Sequence, residues 1–190
     1  MLAHYHGNLF NASELGRSFG ASDVTMRKYL DLLTGTFMIR QLQPWHENIG
    51  KRQVKSPKIF FRDSGIFHSL LNIHLSEELQ MHPRLGASWE GFALEEIIKQ
   101  SRARHEDCYF WSTYSEAEID LLIYGKAGFQ GFEFKYADAP KMTKSMQIAL
   151  KDLPLKHIYV IYPGTVDYPL SEQITVVGLK NYLAQNPPGT

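Results

Sequence analysis

Apolar residues recur every three or four positions along the first third of the chain. Asn11-Ala12-Ser13-Glu14-Leu15 opens a predicted helix with Asn11 or Ser13 as its N-cap, and Leu15 and Phe19 lie one turn apart. Gly20-Ala21-Ser22 ends that helix and caps a second, read from Asp23 to Leu33, on which Val24, Met26, Tyr29, Leu30 and Leu33 form a core-facing stripe. Two helices joined by a short glycine-containing turn predict a helix-turn-helix. Phe37-Met38-Ile39 and Gln41-Leu42-Gln43 then read as a strand, Pro44 to Pro57 as a polar loop turning at Gly50, and Lys58 to Arg62 as a returning strand.

Further on, Gly65 to His82 reads as helical around Ile66 to Leu71 and is broken at His82-Pro83. Ala87 to Gln100 is a strong helix, with Trp89, Phe92, Ala93, Leu94, Ile97 and Ile98 apolar. Strands follow at Cys108–Thr113, Glu118–Tyr124 and Gly131–Tyr136, the last two separated by a turn region with two glycines. An amphipathic helix from Lys141 to Leu153 leads to a buried-type strand at His157–Tyr162, then a strand at Ile174–Val177 and a terminal helix at Leu179–Ala184. Helix, three strands, helix and strand in that order predict an α/β sheet that starts as a meander. The first part, a helix-turn-helix followed by a strand pair with a basic loop, has the pattern of a winged helix.

Composition narrows the class. The 44% apolar and 13% aromatic content of 190 residues is that of a globular chain able to bury a core. A single cysteine, Cys108, offers neither a disulfide nor a zinc cluster, which points to a reducing compartment. No apolar run approaches the roughly 20 residues of a membrane span, and the first ten residues lack the basic start and apolar core of a signal peptide. The expectation is a cytoplasmic protein with no membrane partner.

Twenty cations balance twenty anions, yet the balance is uneven. Up to Ser64, nine cations against five anions give +4, leaving −4 for the remainder. From Arg40 to Arg62 six cations face only Glu47. A polyanion-facing surface is one reading of that segment, a solvated basic loop the other. The histidines are scattered, and no local motif supports Ser-His-Asp catalysis.

The second half holds an ordered acidic set. On a strand, Glu133 and Lys135 share one face and Phe132 and Phe134 the other. If the two strands flanking Gly125 and Gly128 form a hairpin, Asp120 lies beside Glu133. Two adjacent carboxylates repel unless a divalent cation neutralises them, and Mg2+ takes one or two carboxylates plus a substrate phosphate. Lys135 would then orient water or stabilise phosphate charge, with Glu90 on the preceding helix as a third carboxylate. The bland reading of Glu-x-Lys on a half-exposed strand is a surface ion pair worth ~0–1 kcal/mol.

Glu90, Asp120 and Glu133-x-Lys135, on helix, strand and strand in that order, resemble the PD-(D/E)xK pattern of restriction-endonuclease-like folds. Over nearly its whole length the chain also resembles the C-terminal half of a broad family of prokaryotic AAA-like ATPases. That resemblance rests on Tyr29–Leu33, Pro57–Gly65, Trp89–Phe92, Glu118–Asp120 and Glu133–Lys135. It implies a winged helix over residues 1–64, followed by a restriction-endonuclease-like α-βββ-αβ domain over 65–190. The implied function is DNA binding with Mg2+-dependent phosphodiester cleavage, Mn2+ serving as a substitute. Asp120, Glu133 and Glu90 would be metal ligands and Lys135 the fourth catalytic residue. DNA contacts are expected from Arg27 and Lys28 on the second helix and from Lys51, Arg52, Lys55 and Lys58 in the wing. No G-x-x-x-x-G-K-[S/T] occurs, so ATP hydrolysis is not carried over, and a truncated or split gene or a fragment is expected. The alternative reading is a non-catalytic accessory module whose partner ATPase is supplied in trans; a third is oligomerisation through the middle helices.

Overall fold

Local capping chemistry sets the first elements. In the computed structural model, which describes residues 1–46, 55–113, 117–125 and 128–187, a short 3-10 helix, Leu2–Tyr5, and strand β1, Asn8–Leu9, precede α1, Ala12–Phe19. Asn11 rather than Ser13 is the N-cap: its side-chain oxygen accepts from the Glu14 N–H at 3.1 Å. Gly20 then turns the chain at φ +62°, in the left-handed region. The Ser22 hydroxyl starts α2, Asp23–Gly35, by accepting from the Thr25 N–H at 3.1 Å.

The chain divides into two compact units, Met1–Leu42 with Ser56–Phe92 and Gln43–Lys55 with Ala93–Thr190. In the first, β2 (Ile39–Pro44) and β3 (Lys58–Phe61) pair antiparallel from Ile39↔Phe61 to Leu42↔Lys58, and β1 pairs antiparallel with β3. Helices α3 (Ser64–Leu70) and α4 (Ser76–Met81) follow, and α5 (Leu85–Ser101) begins here. Leu15, Met26 and Leu30 from α1 and α2 pack with Ile39, Ile59, Phe61 and Phe67.

Two expectations change in this unit. Phe37 and Met38 are not strand: Phe37 turns at φ +60° and is 73% exposed, with the Arg62 guanidinium 5.5 Å from its ring centre. Ser64 is not where the compact units part. Phe67 beyond it is fully buried in the first unit's core, so α3, α4 and the start of α5 belong with the helix-turn-helix.

The second unit is built on β4 (Cys108–Ser112), β5 (Glu118–Gly125), β6 (Gly128–Phe134), β7 (Leu155–Tyr162), β8 (Tyr168–Ser171) and β9 (Ile174–Gly178). β4, β5 and β6 form the expected antiparallel meander; β6, β7 and β9 run parallel, and β8 closes the edge antiparallel to β9. Gln43 and Pro44 at the end of β2 pair parallel with β4. Helix α6, Lys144–Asp152, covers one face through Met146 and Ala149, against Trp111, Leu122, Ile158, Val160 and Val176. Helix α7, Leu179–Gln185, brings Tyr182 against Phe132 and Tyr159, with ring centroids 5.7 and 5.1 Å away. The architecture is mixed α/β. Among the described residues no helix is long and apolar enough to cross a membrane.

Candidate functional site

The register of the β5–β6 hairpin places the acidic residues. Its pairs run from Gly125↔Gly128 to Leu121↔Phe132, so the next step inward sets Asp120 across from Glu133. There the ladder gives way to a side-chain contact: an Asp120 carboxylate oxygen accepts from the Phe134 N–H at 3.0 Å. Because β5 opposes β6, the start of β5 and the end of β6 share one edge of the sheet. It is the carboxyl-terminal edge of the parallel strands β6, β7 and β9, where open α/β sheets bind ligands.

Glu133 is not the surface carboxylate that a Glu-x-Lys strand suggests. It is 5% exposed, beside Val160 on β7. Lys135, just past the end of β6, reaches back with its ammonium 2.8 Å from one Glu133 oxygen and is itself 38% exposed. The other oxygen, Oε2, is buried and has no hydrogen-bond partner among the described residues. A buried acceptor without a partner costs about 1–3 kcal/mol, more when ionised. Burial first, then the nearby Asp120 charge, pushes the Glu133 pKa up to about 8. The Lys135 contact pulls the other way and is outweighed. Burial thus favours the protonated form of Glu133, and the Lys135 ammonium favours the ionised one.

The donor set fits a hard divalent cation. A buried carboxyl with an unpartnered oxygen beside a second carboxylate is a two-carboxylate oxygen site of the kind Mg2+ takes with substrate phosphate and water. Among the described residues no three His, Cys, Asp or Glu side chains are grouped so as to hold a metal ion. Glu90 lies half-buried on α5, on the first unit's side of the boundary within that helix. Nothing in the sequence marked the Asp120–Phe134 bond or the burial of Glu133, because both depend on long-range pairing with β5 and β7.

Of the expected DNA-contacting cations, Arg27 and Lys28 are exposed on α2 and Lys55 is exposed ahead of β3. Lys58 departs from the expectation: it lies within β3 and is only 6% exposed, so the wing does not present it to solvent. Lys51 and Arg52 lie outside the described residues.

The fold and this edge define a two-unit α/β protein whose second unit sets a buried Glu133 beside the half-buried Asp120. The chain belongs to the family described as a domain of unknown function, DUF4143, which matches residues 85–182. A second domain of unknown function, DUF8612, matches residues 1–77. Uncharacterized proteins of Mycobacterium bovis and Mycobacterium tuberculosis are each 45% identical to the chain over 177 residues. That alignment covers 93% of the chain but 40% of each mycobacterial protein, so the chain spans less than half the length of these relatives. No solved structure matches.

Proposed function

We propose that the protein binds DNA and cleaves its phosphodiester backbone with Mg2+, or Mn2+ in its place, held by Asp120 and Glu133. The observation that carries the reading is Glu133: buried beside a second carboxylate, one oxygen on the Lys135 ammonium and the other unpartnered. A structural ion pair has no use for an unsatisfied buried oxygen, whereas a cation site does.

When bound, the cation supplies charge neutralisation and Lewis-acid polarisation of the phosphate. The chain's residues do the rest. Asp120, placed by the Phe134 N–H, and Glu133, its proton lost to solvent, would hold the cation. Lys135, beside Glu133 at this edge, would orient the attacking water or stabilise charge on phosphorus-bound oxygen. Glu90 enters this reading through the PD-(D/E)xK resemblance alone. The first unit, read as a winged helix, would contact phosphates through Arg27 and Lys28, and Lys55 would add a contact from the segment between β2 and β3.

A cleavage assay on single-stranded, duplex and branched DNA with Mg2+ or Mn2+ tests the proposal. Asp120→Ala and Lys135→Ala are each expected to lower the rate by about a hundredfold or more. No cleavage of any substrate, or activity indifferent to both substitutions, removes the enzyme claim. That no three metal-ligating side chains are grouped among the described residues favours a second reading, a non-catalytic accessory module of an AAA-like ATPase. Calorimetric titration separates the two: the accessory reading expects negligible Mg2+ binding, the nuclease reading binding lost in Asp120→Ala.

A further inference from the structure

We infer that the cavity beside the α1–α2 pair in the first unit is a binding site for a small, uncharged, largely apolar molecule with a single polar group. It shares no residue with the Asp120–Glu133 edge, so it does not rest on the phosphodiester-cleaving reading.

The cavity measures about 490 Å3. Pockets that hold small molecules run from about 300 to 1,000 Å3, whereas close-packed interiors leave few voids larger than a water molecule. Its floor is formed by Phe10, Leu15, Met26 and Leu30, buried side chains that also belong to the core of the first unit. Around them Met1, Phe19 and Tyr29 also line the cavity, and each is more than half exposed. Large apolar side chains scattered singly over a surface need no explanation; gathered around a concavity they mark a place that something else covers.

The lining states the chemistry of the occupant. At about 30 Å3 per molecule the space has room for roughly a dozen or more waters, yet only Thr25 and Tyr29 bring side-chain hydroxyls to it. The Thr25 hydroxyl is already bonded to that of Ser22 at 2.9 Å. Water there is poorly held, and an apolar group that displaces it gains affinity. Among the described residues no Lys, Arg, His, Asp or Glu lines the cavity, so an ionised ligand would be buried without a counter-charge. The Tyr29 hydroxyl is what remains to meet one polar group.

The test is fluorescence titration of the whole chain with N-phenyl-1-naphthylamine, a neutral probe whose emission rises in apolar surroundings. Saturable enhancement at one probe per chain is expected. Ala21→Phe and Leu33→Trp each fill the cavity from a half-buried lining position and should abolish the enhancement without lowering the thermal midpoint. Val24→Ala/Leu32→Ala trims exposed apolar side chains of α2 that lie outside the lining and should leave it unchanged. The anionic relative 1-anilinonaphthalene-8-sulfonate should bind at least about tenfold more weakly, because its charge finds no partner. No saturable binding by the wild type, wild-type binding in both filled variants, or equal loss in the Val24/Leu32 variant overturns the site. Binding of the anion as tight as that of the neutral probe overturns the chemical class. Self-association in light scattering that disappears in Ala21→Phe would overturn the small-molecule site and make the cavity an interface between copies of the chain.

Discussion

His6 shows how much one side chain can carry that no periodicity announces. It is 2% exposed in the first unit, its ring stacked on Phe67 with centroids 4.1 Å apart. Its Nδ1 accepts from the Phe61 N–H at 3.0 Å, and its Nε2–H donates to the Ala87 carbonyl at 3.2 Å. That pair of bonds fixes the neutral Nε2–H tautomer. Burial, with the charges of Arg84 and His68 beyond it, lowers the His6 pKa to about 4, against the pull of the Ala87 carbonyl. The unfolded chain therefore binds a proton that the folded one refuses between about 6.5 and 4. Stability is fully present above that window and is lost as pH falls through it, by about 3 kcal/mol. Urea midpoints measured from pH 7 to pH 4 should fall in the wild type and fall less in His6→Gln. Glu133 has the opposite sign. Its raised pKa makes the folded state the stronger proton binder, so its contribution is complete below about 4.5 and is lost as pH rises through about 8. Without divalent cation, the thermal midpoint of the wild type should decline from pH 5 to pH 8 relative to Glu133→Gln; a parallel profile would contradict the burial argument. The sequence names Asp120, Glu133 and Lys135 and puts Glu133 and Lys135 on one side, because alternation is local. It does not say that Glu133 and Lys58 are buried, since burial comes from strands distant in sequence.

Elements written in local chemistry were the legible ones. The α1–α2 pair follows from Asn11, Gly20 and Ser22, each a cap, and the β5–β6 hairpin from the glycines at its turn. The elements missed are those whose partners supply the stability. β1 is two residues long and exists through its pairing with Lys58 and Ile59; β8 carries Pro169 and survives as an edge strand on β9. Phe37 and Met38 are apolar and predict a strand start two residues before that of β2, although the chain turns at Phe37 with positive φ. The α1–α2 turn gives the sharpest test of a cap. At Gly20 an added Cβ meets nothing within 4 Å, so the cost of a side chain there is purely that of the left-handed backbone. Gly20→Ala should destabilise by about 1 kcal/mol, and Gly20→Asn by less, because asparagine tolerates that region. Four residues earlier the constraint is steric: a Cβ on Gly16 would stand 2.6 Å from the Ala21 carbonyl oxygen. Gly16→Ala must push α1 off the turn and should cost more than Gly20→Ala in the same denaturation series.

In the chain as a whole, the winged-helix pattern predicts a boundary where it ends, at Ser64. The first unit instead continues through Phe92. The physical reason is the small size of the helix-turn-helix core. Leu15, Met26, Leu30, Ile39, Ile59 and Phe61 enclose too little apolar surface without Phe67, whose ring lies against His6 and Phe61 at centroid distances of 4.1 and 5.8 Å. Removing a buried phenylalanine side chain costs about 3–5 kcal/mol, a large part of the 5–15 kcal/mol that holds an ordinary domain together. A fragment of residues 1–64 keeps every cap and both strands of the β2–β3 pair but loses Phe67 and the Ala87 carbonyl that holds His6. It should show no cooperative thermal transition. A fragment of residues 1–92 retains both and should melt cooperatively. Phe67→Ala in the intact chain should reproduce most of the loss, measured by circular dichroism on heating. Cooperative melting of the shorter fragment would return the boundary to Ser64 and make α3 and α4 a connector rather than part of the core.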